Sequence, residues 1–287
     1  MNFALADENM DQTTHHITNN YSIEITAKDI DSFPAIASTL PAGTSVAVTF
    51  LPGETIDARV AAAKMVRELG FDPLPHFSAR RITSHEEFQN MLERMVNEAG
   101  ATRCFVIAGD PSEPDGPFPD TSSMIATGLF EANGIKTIGI AGHPEGHPNM
   151  TDEECLQVLK SKCEMIEERG MTPLIVTQFG FDSKAFLDWL AGIRTYGIQA
   201  TVRLGVPGPT SIKTLMKFAA RCGVSASTSV LTKYGISITK LLGTAGPDKM
   251  VDDFANSSTA AHGDFKLHFY PFGGLSKTIE WVTEYNK

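Results

Sequence analysis

One carboxylate in the sequence stands where a carboxylate is costly. Glu24 lies between Ile23 and Ile25 in a segment of alternating apolar residues, which predicts a central β-strand. Burying a charged carboxylate is expensive unless it is paired or neutral. A general acid whose pKa is raised by burial can use such a position, and this is the function we expect for Glu24. A structural ion pair is the alternative.

Two further polar residues come at or near the ends of predicted strands. Asp110 follows Gly109 after an apolar run and can accept hydrogen bonds from a ligand, although it could instead cap the following loop. Gln178 is a neutral amide in an apolar strand, and such amides commonly bind the donor–acceptor edge of a heterocycle. A core amide with satisfied hydrogen bonds is an equal alternative for Gln178.

Three arginines follow or end predicted strands. Arg203 lies near the end of the seventh predicted strand, and Arg80 and Arg81 follow the third. Arginines at a barrel mouth can bind phosphate or carboxylate groups. A solvated loop charge is the simpler explanation for Arg81.

Four residues form the only cluster in the sequence with the side chains of a metal site: His76, His143, Glu145 and His147. His143 and His147 are four residues apart, but they lie in a loop rich in Pro and Gly, where helical geometry does not apply. No strand carries a His-x-His pair. We therefore expect no metal and assign these histidines to stacking and hydrogen bonding with a cofactor.

These residues need a scaffold that brings strand ends together. Apolar runs alternate with amphipathic helices and predict eight strands, at residues 21–26, 45–50, 72–78, 103–107, 136–140, 172–179, 199–206 and 266–272. Eight strand–helix units favour an α/β fold of the (β/α)8 TIM-barrel type over an open doubly wound sheet, and no Gly-x-Gly-x-x-Gly follows the first strand. The polar residues at the strand ends should then converge on one face of the barrel.

Composition restricts the partners and the compartment. The chain has 287 residues and a net charge of −10, which argues against nucleic acid or an anionic membrane as a partner. Residues 1–20 are expected to be a disordered polar tail, and residues 21–287 a single catalytic domain. No apolar run approaches the ~20 residues of a membrane helix. The four cysteines form no Cys-x-x-Cys pair and are expected to be buried and reduced, which indicates the cytoplasm.

The order and spacing of these segments resemble the methylenetetrahydrofolate reductase (MetF) family from about residue 21 to 287. The matching segments are Ile23-Glu24-Ile25, the strand that carries Thr49, Pro75-His76-Phe77, Gly109-Asp110, Pro144-Glu145-Gly146-His147-Pro148, Lys162, Thr177-Gln178-Phe179 and His268-Phe269-Tyr270. The resemblance implies that Glu24 is the catalytic acid and that Asp110 and Gln178 contact the folate. It also implies an FAD site at Thr49, His76, Ala108, Gly109, Asp110, His143, His147 and Lys162.

Several positions depart from the family pattern, and most of them belong to the FAD and NADH side. Ala108 stands where the family usually has an arginine, His143 where it has a tyrosine, and Cys155 where it has an aspartate. Further departures are Thr121, Ile212 and Pro271-Phe272-Gly273. The folate-side residues are retained. We therefore expect a divergent member that binds FAD weakly, differently or not at all.

The activity implied by the resemblance is interconversion of 5,10-methylene- and 5-methyltetrahydrofolate. Glu24 would protonate N10 and open the ring to an N5 iminium, with hydride from a flavin recharged by NADH or NADPH. Two alternatives remain: direct hydride transfer from NAD(P)H without flavin, and a folate-binding or methyl-transfer barrel without redox chemistry. The reaction direction and a homo-oligomeric state are left open.

Overall fold

The computed structural model describes residues 16–224 and 244–287. Eight parallel strands form a closed barrel in the order β1-β10-β7-β6-β5-β4-β3-β2. The barrel strands are β1 Ser22–Ile25, β2 Ser45–Val48, β3 Asp72–Ser78, β4 Arg103–Ile107, β5 Thr137–Gly142, β6 Thr172–Phe179, β7 Thr201–Pro207 and β10 Phe265–Tyr270. Two short strands, β8 Thr210–Ser211 and β9 Thr244–Ala245, pair antiparallel outside the barrel. The predicted (β/α)8 fold is confirmed.

Helices follow the strands and cover the outside of the barrel. They are α1 Phe33–Ala37, α2 Ile56–Glu68, α3 His85–Asn97, α4 Thr121–Ile125, α5 Leu129–Ala132, α6 Asp152–Glu168, α7 Ser183–Thr195, α8 Ile212–Arg221, α9 Asp248–Ser257 and α10 Leu275–Tyr285. Thr151 caps α6 in a capping box with Glu154, as its spacing predicts. No helix in the described part of the chain is both long and apolar enough to span a membrane.

Side-chain alternation along the strands divides the core into two layers. Outward residues such as Ile23 and Ile25 are fully buried against the helices. Inward residues fill the barrel with a smaller apolar cluster of Ala47, Leu74, Phe105, Leu174 and Val176. Because successive strand residues face opposite sides, Ser22 and Glu24 are directed to the barrel interior.

The structure differs from the predicted elements at three places. The sequence of residues 122–133 predicts one helix, but the structure has two short helices, because Gly128 takes a left-handed φ of 77° between them. The spacing of Ser84 and Glu87 predicts a capping box at the start of α3; Ser84 caps the helix, but the Glu87 carboxylate accepts from Thr83 and so closes no capping box with Ser84. Cys222, predicted to face inward, is exposed because α8 ends just before it; Cys104 and Cys163 are buried and Cys155 is half-buried.

The amino-terminal segment is attached to the barrel close to β1. Residues 16–20, which the sequence places in the tail, form a turn in which Thr18 is buried and hydrogen-bonds Asn286. Residues 1–15 and 225–243 lie outside the described part of the chain; the second range belongs to the 224–263 segment, to which the sequence assigns no role.

Candidate functional site

Glu24 projects into the barrel beside a histidine of the neighbouring strand. Its side chain is 18% exposed, and Oε2 lies 3.8 Å from Nε2 of His268. The other ring nitrogen of His268, Nδ1, hydrogen-bonds the Ser22 hydroxyl at 2.8 Å. β1 and β10 are paired with Ser22 opposite His268, which sets this contact. With the Ser22 hydroxyl donating to Nδ1, the ring presents its N–H to Glu24.

Tyr270 connects this pair to the strand that carries Gln178. Its ring packs edge-on against His268, and its hydroxyl donates to the Thr177 carbonyl at 2.9 Å. The Thr177 hydroxyl in turn accepts from the Gly205 N–H at 2.8 Å. The pairing of β6 with β7 shifts register between Val176 and Phe179, so this bulge includes Gln178.

A glycine is required opposite the bulge. A Cβ on Gly205 would lie 2.5 Å from the Thr177 carbonyl oxygen and 2.8 Å from the Tyr270 ring. No side chain fits between these groups. Gly205 therefore allows β6 and β10 to approach closely enough for the Tyr270–Thr177 hydrogen bond that orients the bulge.

Thr49 and His76 follow at the ends of β2 and β3. The Thr49 side chain is 8% exposed, and its hydroxyl has no hydrogen-bond partner among the described residues. His76 packs on Phe105 with ring centroids 4.8 Å apart. Burial, together with the nearby His268, lowers the pKa of His76 to about 3, so this ring is neutral at pH 7.

Gly109 and Asp110 form the turn after β4. Gly109 has a φ of 97°, and a Cβ on it would lie 2.2 Å from the Ser78 hydroxyl, so only glycine fits here. The Asp110 side chain is exposed and pairs with Arg81 at 3.3 Å. Arg81 is therefore engaged with a predicted site residue. The Ala108 carbonyl accepts from the Arg80 N–H, which holds the β3 and β4 loops together.

The loop between β5 and α6 is tied to the β6 end by Glu145. Its Oε1 accepts from the Phe181 and Asp182 N–H groups at 2.6 and 2.7 Å. These two hydrogen bonds give Glu145 a structural role, because they connect the β5–α6 loop to the residues that follow β6. The His143 and His147 rings contact edge-on at 4.8 Å.

The charge in this loop region comes from Lys162 on α6. Burial lowers the pKa of Lys162, while Asp120 acts in the opposite direction. Burial lowers the pKa of His143 to about 4 and, together with Lys162, lowers that of His147. Both rings are neutral at pH 7, so Lys162 supplies the positive charge of the group. No cluster of three or more side chains suited to a metal occurs in the described ranges.

A cavity of about 150 Å³ joins these segments at the barrel mouth. It is lined by the β5–α6 loop from His143 to Pro148, by Gln178 and Phe179, and by the end of α8 from Cys222 to Val224. The cavity thus combines predicted folate-side and cofactor-side residues. An opening of this size accommodates part of a larger ligand.

Arg203 does not join this group, contrary to the sequence-based assignment. Its guanidinium donates to the Asn20 carbonyl, and its nearest charges are Arg103 and Asp72, the first residues of β4 and β3. Four residues separate Arg203 from the end of β7, or roughly 13 Å along a strand. Arg203 therefore lies at the amino end of the barrel and is removed from the substrate-binding residues. Arg80 is committed to the carbonyls of Pro111 and Pro119.

The comparisons agree with this architecture. The sequence model of the methylenetetrahydrofolate reductase family matches residues 29–270. The chain belongs to this family. A methylenetetrahydrofolate reductase (NADH) 1 of Arabidopsis thaliana is 23% identical over 59% of this chain and 31% of its own length. The 5,10-methylenetetrahydrofolate reductase of Pectobacterium carotovorum subsp. carotovorum is 25% identical over 71% of this chain and 66% of its own length.

Length and structure set limits on these similarities. The chain spans 31%, 24% and 32% of the length of the relatives from Arabidopsis thaliana, Saccharomyces cerevisiae and Schizosaccharomyces pombe. A Clostridium thermocellum protein described as binding two copies of 5-methyl-5,6,7,8-tetrahydrofolic acid has a TM-score of 0.65 and 14% identity, over 94% of this chain and 96% of its own. This likeness shows the shared fold.

Three residues of the site in this methylenetetrahydrofolate reductase family member are not individually predicted by the sequence: His268, Tyr270 and Cys222. His268 and Tyr270 belong to a segment that matches the family, and the sequence predicts a buried Cys222. Lys266, His268 and Tyr270 alternate with apolar residues in one strand. That period-2 signal places His268 and Tyr270 on the inner face. Nothing in the sequence indicates that α8 ends over the mouth.

Lowering the pH from 7 to 5 should destabilise the wild-type protein more than the variant His143→Gln. The pKa of His143 is about 4 in the folded chain against 6.5 for a free histidine. Between these values the unfolded state binds a proton that the folded state excludes. The resulting stabilisation is complete above pH 6.5 and is lost as the pH falls towards 4. Urea unfolding at pH 7, 6 and 5 measures the difference.

The control for this experiment is His85→Gln, which removes an exposed imidazole at the start of α3. This variant shows how the loss of an exposed imidazole alone changes the pH dependence of the free energy of unfolding. An identical pH dependence for the wild-type protein and His143→Gln would contradict the assignment of a buried neutral ring.

Proposed function

We propose that this chain interconverts 5,10-methylene- and 5-methyltetrahydrofolate, with hydride from NADH or NADPH by way of FAD. The observation that carries the proposal is Glu24, a largely buried carboxylate held beside His268 in a chain of this family. The ligand described for the Clostridium thermocellum protein supports folate as the substrate class. The four free cysteines support the cytoplasm as the compartment.

Glu24 performs the proton transfer. The Glu24 carboxyl group gives its proton to N10 of methylenetetrahydrofolate, the bond between N10 and the bridging carbon breaks, and an N5 iminium forms. Hydride addition to that carbon yields the methyl group. Behind Glu24, His268 lies 3.8 Å from the carboxylate, which is beyond direct hydrogen-bond reach, and its ring is held by the 2.8 Å contact with Ser22; the two residues give Glu24 a polar environment inside the barrel.

Replacing Glu24 by glutamine should abolish most turnover while folate binding persists. The amide keeps the size of the side chain but cannot donate an acidic proton, and general acids contribute ~10²–10⁴-fold. Steady-state kcat with methylenetetrahydrofolate and the Kd for methyltetrahydrofolate measure the two effects separately. Glu164→Gln, on the exposed face of α6, is the control. A Glu24→Gln enzyme with most of its kcat would show that Glu24 is not the acid.

Gln178 and Asp110 bind the pterin in this proposal. The Gln178 carbonyl oxygen accepts from the Phe179 N–H at 3.1 Å, which orients its amide nitrogen to donate to the ligand. Gln178 also lines the mouth cavity. Asp110 is exposed at the strand end. Its carboxylate can accept a hydrogen bond from the amino group of a pterin when the ion pair with Arg81 opens.

Gln178→Ala should weaken folate binding by ~1–3 kcal/mol, the usual cost of a half-made buried pairing. Tyr270→Phe should weaken it in the same direction but less, because it releases the Thr177 carbonyl and leaves Gln178 in place. Calorimetric titration with methyltetrahydrofolate measures both. Gln157→Ala, an exposed amide on α6, should bind as the wild type does. Unchanged affinity in Gln178→Ala would reject the role assigned to this residue.

The residues near the mouth fit an FAD site with reduced charge. Thr49 presents a buried hydroxyl that has no hydrogen-bond partner in the part of the chain that the structure describes, and His147 and Lys162 lie together on the β5–α6 side. FAD, when bound, supplies hydride-transfer chemistry. Lys162 is suited to a phosphate and Thr49 to a polar edge of the ring system. Ala108 and Cys155 offer no charged partner, so we propose weak binding.

Titrating FAD into the apo-protein should give saturable binding that restores NAD(P)H-linked activity. Lys162→Met should weaken FAD by tenfold or more, since a charge-assisted hydrogen bond is worth ~1.5–3 kcal/mol. Flavin fluorescence measures binding independently of turnover. Lys160→Met, exposed on the same helix, is the matched control.

Two outcomes would contradict the flavin proposal. Equal FAD affinity in Lys162→Met and Lys160→Met would remove Lys162 from the cofactor site. Full activity in a preparation free of flavin, unchanged when FAD is added, would show direct hydride transfer from NAD(P)H.

A further inference from the structure

The carboxyl end of α8 closes one side of the mouth cavity. Cys222, Gly223 and Val224 line it together with Gln178 and the β5–α6 loop. A Cβ on Gly223 would lie 3.4 Å from the Pro148 ring, so the helix end and this loop are in close contact. None of the three residues belongs to a segment that carries the family resemblance.

Aromatic stacking fixes the position of this helix end. Phe218, one turn before Cys222, stacks on Phe272 with centroids 4.1 Å apart and ring planes at 12°. Phe272 packs in turn against Phe179 of β6 at 4.8 Å and Tyr270 of β10 at 5.7 Å. The end of α8 is therefore held against the two strands that carry Gln178 and His268.

The electrostatic surroundings of Cys222 independently place it at the mouth. Burial raises the pKa of this thiol, although the residue as a whole is exposed. Arg221 acts against this effect, and the carboxylates of Glu24 and Asp110 raise the pKa further. Charges from β1 and from the turn after β4 therefore both act on the thiol, in agreement with its place in the lining of the mouth cavity.

We propose that Cys222 is a wall residue of the folate cavity and determines how much room the bound substrate has there. The inference rests on the proposed function for the identity of the ligand. It follows from the shared cavity, from the stacking of Phe218 on Phe272 that holds the end of α8, and from the exposure of the residue Cys222 as a whole. The side chain and the bound folate then occupy adjoining space, and a larger group at this position excludes the ligand.

The first test is alkylation of the native protein with iodoacetamide at pH 8.5, followed by peptide mass spectrometry. Cys222 should react, whereas the buried Cys104 and Cys163 should remain unmodified as internal controls. Methyltetrahydrofolate at ten times its Kd occupies ~90% of sites and should slow the reaction at Cys222 about tenfold. Alkylated protein should bind methyltetrahydrofolate more weakly than untreated protein.

The second test changes the size of the side chain. Cys222→Phe should weaken methyltetrahydrofolate binding about tenfold or more by overfilling the cavity, and it should weaken binding more than Cys222→Ser, which leaves the size of the side chain nearly the same. Ala220→Phe, which adds an aromatic ring on an exposed position of the same helix, is the matched control. Circular dichroism and thermal unfolding of the four proteins establish that each is folded.

The third test depends on charge and does not use folate. Glu24→Gln removes a negative charge near the thiol, lowers the pKa of Cys222 and should shift its pH–rate profile for alkylation to lower pH. Glu164→Gln should leave the profile unchanged.

The outcomes separate this inference from the proposed function. Wild-type protein that binds no methyltetrahydrofolate would refute the proposed function and the ligand named here. Folate binding that is unaffected by alkylation and by Cys222→Phe would overturn the inference alone. An alkylation profile unmoved by Glu24→Gln would show that Cys222 does not lie near the acid.

Discussion

The pairing of β1 with β10 is the contact on which the site depends. These strands close the barrel, and their register sets Ser22 opposite His268 and Ile23 opposite Phe269. A slip of one residue would turn Glu24 and His268 towards the helices and their apolar neighbours into the barrel. Because β1 has only four residues, its pairing with β2 at all four positions helps to hold the register. The fully buried Ile23 and Ile25 oppose any slip, since they would lose their apolar contacts.

Burial decides which groups at the mouth carry charge. His76 and His143 are so enclosed that both rings are neutral at pH 7, and His147 is shifted in the same direction. Lys162 keeps its charge against the cost of burial with help from Asp120. A site built this way offers the Lys162 cation, several neutral hydrogen-bonding groups and the Thr49 hydroxyl, which has no partner among the residues that the structure describes. That combination suits a large ligand with a single anionic region better than a metal ion.

The sequence predicted the scaffold well because alternation and helix caps are local signals. All eight barrel strands lie where the periodicity places them, and Thr151 and Asp182 cap their helices. The position of a residue along the barrel axis, in contrast, cannot be predicted from a local signal. The sequence places Arg203 near the end of a strand predicted over residues 199–206, but in the barrel its nearest charges are Arg103 and Asp72, the first residues of β4 and β3. The position of Arg203 along the barrel axis depends on which residues of the other strands lie beside it. That register is determined only when the barrel closes.

The structure also explains how a family member can lose an arginine at position 108 without losing its loops. The Ala108 carbonyl accepts from the Arg80 N–H, and the Arg80 side chain holds the Pro111 and Pro119 carbonyls. The loops after β3 and β4 therefore stay joined through the backbone and through Arg80, and a side chain at position 108 is not needed for that purpose.

An alanine at position 108 does, however, leave the proposed ligand site without the positive charge of an arginine. Arg80 is engaged with the loop carbonyls and does not replace that charge, and burial lowers the pKa of Lys162, the cation beside the β5–α6 loop. The proposed folate side has no comparable deficit, since Glu24, Gln178 and the Tyr270 contact that orients the β6 bulge are all in place. In this chain the proposed site therefore depends more on strand register than on positive charge at the loops.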